Sequence, residues 1–312
     1  MVIDGAPVPE KSGEIRAVLC VRDELLRLPA NLDHHRRLGV DRFLVVDNGS
    51  RDGTADYLAS QPDVHMFRAA GTFEESLDGL AWTNPLRDAF CDGHWTLSLD
   101  ADELFVFPYY EQVGLQTLCR FLDQAGARTV YALLLDMYGE GGLSQAVLPP
   151  GGSLIDTCAW FDPGPYRLTE VPNFPYVRFR GGVRARVFDF QPWQGAPPAL
   201  NKLPLVKWAR GMRYLLSTHE MTPTTLYPLM TCLLHFKFLS DFHARVVTAV
   251  DEQWHYGAAR DFQAYRALLD ARGDITLRNA QSVRYAGSQQ LLDLQIMRTD
   301  AAWPAFLSAQ MA

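Results

Sequence analysis

The chain reads as an α/β protein built on a parallel sheet with helices on both faces, and three observations predict this. Short apolar runs alternate with amphipathic stretches through about the first hundred residues, the pattern of strands joined by helices. Connections of helical length imply parallel neighbours. Two of the runs stop on carboxylates, Asp47 and Asp100, and in such sheets ligands bind at the carboxyl ends of strands.

The elements follow in order. Residues 15–21 form a first strand. Residues 23–38 set Leu25, Leu26, Leu28, Leu32 and Leu38 among charges, an amphipathic helix that Pro29 breaks or delays. Residues 41–47 are a second strand. Asn48-Gly49-Ser50-Arg51-Asp52-Gly53-Thr54 is a dense turn signal, with a short helix to Ser60 behind it. Residues 64–67 are a third strand, 72–93 are mostly helical with Pro85 as a break, and 94–100 are the fourth strand. A helix over 111–125 and a strand over 128–137 come next. From 139 to 175 the texture turns to Gly- and Pro-rich loop, and loops this long are functional or disordered. Residues 177–190 alternate Arg178, Arg180, Arg184 and Arg186 with apolar positions around Gly181-Gly182, which predicts a hairpin with one basic face. The tail from 240 onward is largely helical.

The 312 residues suffice for one large domain, and 48% hydrophobic with 21% charged residues is ordinary for a soluble protein. A net charge of −7 counts against nucleic-acid binding through a broad basic surface. The five cysteines form no C-x-x-C pair, which fits free thiols in a reducing compartment, and no stretch is apolar over a membrane-spanning length. The expectation is a cytoplasmic protein with no transmembrane segment; the helical tail leaves peripheral membrane contact open.

The fourth strand ends on Asp100-Ala101-Asp102-Glu103. Three carboxylates at the tip of a core strand need a counter-charge, and a divalent cation is the usual one. In an extended chain Asp100 and Asp102 point the same way and reach one ion. Oxygen ligands favour Mg²⁺ or Mn²⁺, ions that commonly carry substrate phosphates. Glu103 is expected to face away and orient an arginine or a metal-bound water, or to form a surface ion pair. Asp47 either accepts a hydrogen bond from a base or ribose or caps its own Asn48-Gly49 turn.

These blocks, with Val21-Arg22-Asp23-Glu24, His35-Arg36-Arg37-Leu38-Gly39-Val40, Lys202-Leu203-Pro204-Leu205-Val206 and Leu233-Leu234-His235-Phe236-Lys237-Phe238, resemble glycosyltransferases of the GT-A fold, a Rossmann-like architecture. More narrowly, they are similar to the family 2-like group related to glycosyltransferase family 92. Asp23 departs from the Asn usual in that group. The resemblance spans about residues 15–245 in family order. It implies transfer of a sugar from a nucleotide-diphosphate donor, expected to be UDP-linked, to an acceptor hydroxyl of a glycan, a lipid-linked glycan or a protein.

On that resemblance Asp100 and Asp102 hold the ion against the diphosphate and Asp47 contacts the nucleobase. Asn84 lies where related enzymes contact the donor. His235 is the late histidine ligand with His219 as its rival, while Lys237 meets a phosphate oxygen. Lys202, with the Arg178 to Arg186 series, is expected either to neutralise the diphosphate or to bind an acidic acceptor. An inverting transfer needs a carboxylate base; Asp136, at a strand end, and Glu170, in the Pro-rich loop, are the candidates. The implied organisation is a flexible N-terminus over 1–14, a catalytic domain over 15–239 (a nucleotide-binding half, 15–138, and an acceptor-side half, 139–239) and a helical extension over 240–312. The rival functions are a non-catalytic nucleotide- or sugar-binding module and a nucleotidyltransferase. The acidic, glycine-free turn after the first strand disfavours the latter.

Overall fold

A computed structural model of the chain describes residues 2–4, 7–170, 177–193, 195–252 and 256–311. Its first half follows the expected alternation. β1 (Val2–Asp4), β2 (Ile15–Val21), α1 (Leu28–Leu38), β3 (Arg42–Asp47), α2 (Thr54–Ala59), β4 (Val64–Arg68), α3 (Leu80–Phe90), β5 (Trp95–Leu99) and β6 (Glu103–Val106) come in that order. The second half contributes α4 (Leu115–Gln124), β7 (Thr129–Tyr138), α5 (Leu154–Thr157), β8 (Trp160–Phe161), β9 (Tyr166–Glu170), β10 (Val177–Gly181) and α6 (Gly182–Val187). After these come β11 (Asn201–Lys202), β12 (Leu205–Lys207), β13 (Tyr214–Leu216), β14 (Glu220–Met221), β15 (Leu226–Phe238), α7 (Phe242–Glu252) and α8 (Tyr256–Arg272). β16 (Val283–Arg284), α9 (Ser288–Asp293) and α10 (Ala302–Met311) complete the chain.

The main sheet runs β1-β4-β3-β2-β5-β12-β7-β15-β6. β4, β3, β2 and β5 are parallel neighbours, and so are β7 and β15. β12 is wedged antiparallel between β5 and β7, so β7 and β15 run in the same direction as β5. The carboxyl ends of β2, β5 and β15 therefore meet on one rim.

Strand alternation explains why both faces are covered. Ala17, Leu19, Phe43 and Val45 face one core with Leu28 and Leu32 of α1 and Leu118 and Leu122 of α4. Val18, Leu44 and Val46 face the other, with Leu80 and Leu86 of α3 and the buried Trp208. The last residues join the first core: Trp303 is fully buried there and donates from its indole to the Pro108 carbonyl at 3.1 Å.

Proline and glycine set the boundaries near the rim. Pro29 sits in the first turn of α1, so the helix begins late, at Leu28. Gly39 closes it in the left-handed region (φ 102°), its amide returning to the Arg36 carbonyl.

Three expectations need correction. The segment 177–190 is not a hairpin: β10 pairs antiparallel with β9 and the chain then turns into α6. Gly181, at φ 145°, allows this, because a Cβ there would run into the Pro165 carbonyl. The segment 139–175 is also less loop-like than its composition, since it contributes α5, β8 and β9; residues 171–175 lie outside the described residues. Finally, Asp100 to Asp102 form a turn between β5 and β6, not an extended strand end.

Candidate functional site

That turn is built from α1. The Asn31 amide donates to the carbonyls of Asp100, Ala101 and Glu103 at 3.2, 3.1 and 2.8 Å. His35 Nε2 accepts from the Phe105 amide at 3.2 Å, so its proton sits on Nδ1 and is donated to the Asn31 carbonyl. Burial, then neighbouring His34, keeps His35 neutral, well below its ordinary pKa. The turn closes on itself as the Asp100 amide donates to Glu103 at 3.1 Å.

Because the turn is not extended, its two aspartates face different partners. Asp100 is half exposed and meets Lys202 Nζ at 2.9 Å, the same ammonium that meets Glu103 Oε1 at 2.9 Å. Glu103 thus orients a lysine, not an arginine. Burial opposes the Lys202 charge, but Asp100 and Glu103 outweigh it and hold the ammonium protonated. Burial, then Asp100, pushes the Glu103 carboxyl up to about 7. Asp102 points at the end of β15, where its Oδ2 lies 3.2 Å from His235 Nε2.

His235 and Lys237 lie on β15 and both line the same cleft, although the β15–β7 register shifts between His235 and Phe238. His235 Nδ1–H donates to Asp136 Oδ1 at 2.6 Å, and Arg184 of α6 grips both Asp136 oxygens at 2.8 and 2.7 Å. Burial disfavours charge on His235, yet Asp102 and Asp136 outweigh it and raise its pKa. For Asp136 burial is likewise overcome, by Arg184 and then His235, and its carboxyl is held at about 2. A carboxylate so buried and so fully engaged does not fit the general-base role expected of it. Glu170 is exposed on β9 and does not line the cleft described below.

The rim encloses a cleft of about 500 Å³. Asp100, Asp102, Lys202, His219, His235 and Lys237 all line it. Lys237 lies over the rings of Phe262 and Tyr265 at 4.7 and 5.9 Å, and burial pulls its pKa down to about 8. His219 donates from Nδ1 to the Asn201 carbonyl at 2.5 Å and is held neutral, its pKa pulled to about 3 by burial and then Lys202. Of the two late histidines, His235 is the one that meets Asp102.

Two expected donor contacts are engaged elsewhere. Asp47 accepts from the amides of Gly49 and Ser50 at 3.2 and 3.4 Å, the turn-capping alternative, and its neighbour Asn48 lines the cleft instead. Asn84 exchanges two hydrogen bonds with the backbone of Tyr214, at 3.0 and 3.1 Å.

Sequence reasoning missed Asp78, Arg245 and the importance of Arg184. Asp78 lines the cleft in the left-handed region (φ 59°), and burial, then Asp100 and Glu74, pushes its carboxyl up to about 6. The positive φ favours Asp, Asn or Gly, but nothing around Asp78 in sequence marks it. Arg245 of α7 closes the cleft by pairing with Glu24 at 2.6 Å.

The residues fit a divalent ion in part. Two ligand atoms about 2.1 Å from one ion and at right angles to it stand about 3 Å apart. Asp102 Oδ2 and His235 Nε2, at 3.2 Å, have that spacing, and Asp136 fixes the imidazole from behind. Asp100 instead turns to Lys202, and among the described residues no group of three or more His, Cys, Asp or Glu side chains is placed to hold an ion.

No family description matches the chain, and no curated protein matches it. Among solved structures, S. aureus TarS 1–349 in complex with UDP is 13% identical at a TM-score of 0.32, over 41% of this chain and 37% of that one. UTP-bound UGPase from Acinetobacter baumannii is 8% identical at a TM-score of 0.30, over 84% of each chain. A 4-diphosphocytidyl-2C-methyl-D-erythritol synthase is 18% identical at a TM-score of 0.27, over 41% of this chain and 60% of that one. The chain thus spans well under half of the TarS fragment. Similarity at this level leaves the chain's own strand order and cleft to define it. No helix among the described residues is long and apolar enough to cross a membrane.

Proposed function

We propose that the chain is a metal-dependent glycosyltransferase of GT-A type, moving a sugar from a UDP-linked donor to an acceptor hydroxyl with inversion. The observation that carries this reading is the chain Asp102–His235–Asp136–Arg184 at the rim, beside ammonium groups suited to a diphosphate. Asp102 and His235 would hold Mn²⁺ or Mg²⁺, with the donor phosphates completing its shell. A divalent cation bound there supplies Lewis-acid stabilisation of the charge that builds on the departing nucleoside diphosphate.

The chain's own residues divide the rest. Lys202, fixed between Asp100 and Glu103, and Lys237, which has no carboxylate partner among the described residues, place positive charge where the leaving group develops its negative charge. Asp78, with Asn48 on the same cleft, takes the ribose- or base-contacting role expected of Asp47. Asp136 is a positioning residue that sets the His235 tautomer.

A panel of sugar nucleotides incubated with and without Mn²⁺ tests the reading, and metal-dependent release of nucleotide from at least one donor is the expected result. Tight nucleotide binding with no release from any donor would instead mark a non-catalytic binding module.

Asp78 gives a separate pH prediction. It accepts hydrogen bonds from a donor's hydroxyls most strongly while ionised, and its pKa is about 6. UDP affinity should therefore weaken by up to about fourfold as pH falls from 7.5 to 5.5, the fall in the ionised fraction of a group with that pKa. Isothermal titration across that range measures it. Asp78→Asn should bind more weakly at pH 7.5 and lose the dependence; an unchanged pH profile in this variant would exclude the role.

A further inference from the structure

The cleft has a second cationic wall, on β10. β10 alternates, so Phe179 enters the core while Arg178 and Arg180 face the cleft. Arg178 is paired with Glu220 at 2.5 Å. Arg180 has no carboxylate partner among the described residues, and only its Nε is engaged, donating at 2.9 Å to the Pro197 carbonyl. Pro197 itself lines the cleft, so this bond anchors the guanidinium beside it.

The neighbouring strand sets a second cation beside this wall, just outside the cleft lining. In the β9–β10 register Arg180 stands directly opposite Arg167, which is exposed and also has no carboxylate partner among the described residues. Like charges directly opposite each other weaken strand pairing. An anion between them turns that repulsion into a two-armed clamp, because guanidinium groups match phosphate and carboxylate geometry.

The proposed donor does not account for this wall. Its diphosphate would be met by Lys202 on β11, Lys237 on β15 and the Asp102–His235 pair between the β5–β6 turn and β15. Resting on the glycosyltransferase reading above, we propose that the acceptor is anionic: a hydroxyl compound carrying a phosphate or carboxylate group, gripped by Arg180 and Arg167. In the transfer the acceptor oxygen bonds to the anomeric carbon as the bond from that carbon to the diphosphate oxygen breaks. The electron pair leaves with the nucleoside diphosphate, and the hydroxyl proton passes to a general base on the cleft and from it to solvent.

The test compares matched acceptors with the donor found in the panel: glycerol against glycerol 3-phosphate, and galactose against galacturonate. At least one charged member is expected to exceed its neutral parent tenfold or more in kcat/KM, and which pair responds tells phosphate from carboxylate. Arg180→Ala should cut that preference to threefold or less, while Arg180→Lys retains most of it; thermal melts confirm that both variants fold. Equal use of charged and neutral acceptors, or a preference that survives Arg180→Ala, overturns the proposal. Failure of the enzymatic reading looks different, because no donor then releases nucleotide. A binding measurement remains in that case: with UDP and Mn²⁺ saturating, glycerol 3-phosphate should bind wild type at least tenfold more tightly than Arg180→Ala, and equal binding overturns the anion clamp itself.

Discussion

Arg184→Ala is expected to destabilise the protein by about 3–5 kcal/mol, the usual effect of removing one partner from a buried ion pair. The reason is what it strands. Asp136 is almost fully buried, and Arg184 supplies the guanidinium that grips both of its oxygens, at 2.8 and 2.7 Å. Without that guanidinium a carboxylate remains in the interior with only His235 beside it. Urea unfolding at pH 7 measures the difference, and a loss below about 1 kcal/mol, the range of exposed pairs, would refute the argument.

The pH dependence supplies a second signature of the same pair. The native Asp136 carboxyl is held at about 2, below its ordinary 3.8. Its contribution is therefore fully present above about pH 4 and is lost as pH falls toward 2. In Arg184→Ala this acid-range loss should shrink, because the group that depresses the native pKa most is gone. Wild type and variant should thus differ most near neutrality and converge in acid.

How legible this was in the sequence differs between the halves of the site. β2 to β5 were readable because each is a local apolar run closed by a turn signal, and their parallel pairing follows from the helices between them. The Asp-Ala-Asp-Glu turn was readable as a cluster of carboxylates, but its geometry was not. Asn31, on a different element, bends it, and a turn sends Asp100 to Lys202 and Asp102 to His235 where an extended chain would have aligned them.

The acceptor side was harder for the same reason. Nothing local to Arg184 distinguishes it from Arg178, Arg180 or Arg186; only the fold delivers it to Asp136 while Arg186 meets Asp162. Likewise the strand pairing of β10 with β9 runs through a Pro- and Gly-rich stretch whose composition argues for loop. The late histidine was the exception. The i, i+2 spacing of His235 and Lys237 predicted a shared face provided the segment was extended; β15 is a strand, and both residues line the cleft despite its register shift after His235.

Asp102→Ala is expected to lower metal-dependent nucleotide release a hundredfold or more while leaving the fold intact. Among the described residues its carboxylate is the one acidic group paired with His235 Nε2, so its removal takes away half of the proposed ion-holding pair. Removing a single preorganised electrostatic contact to a developing charge commonly costs a hundred- to a thousandfold. Asp100→Ala separates this from loss of charge alone. Asp100 is half exposed and pairs with Lys202, so its removal should reduce release less and shift the Mn²⁺ dependence little. Behind the pair, Asp136→Asn keeps the shape but no longer favours the Nδ1–H tautomer of His235, and should weaken Mn²⁺ affinity ten- to a hundredfold. Mn²⁺ titrations of release rate in the three variants, with melts in parallel, rank these effects. If Asp102→Ala matches wild type in both rate and Mn²⁺ dependence, the Asp102–His235 pair holds no catalytic ion; its 3.2 Å contact is then an ordinary buried ion pair.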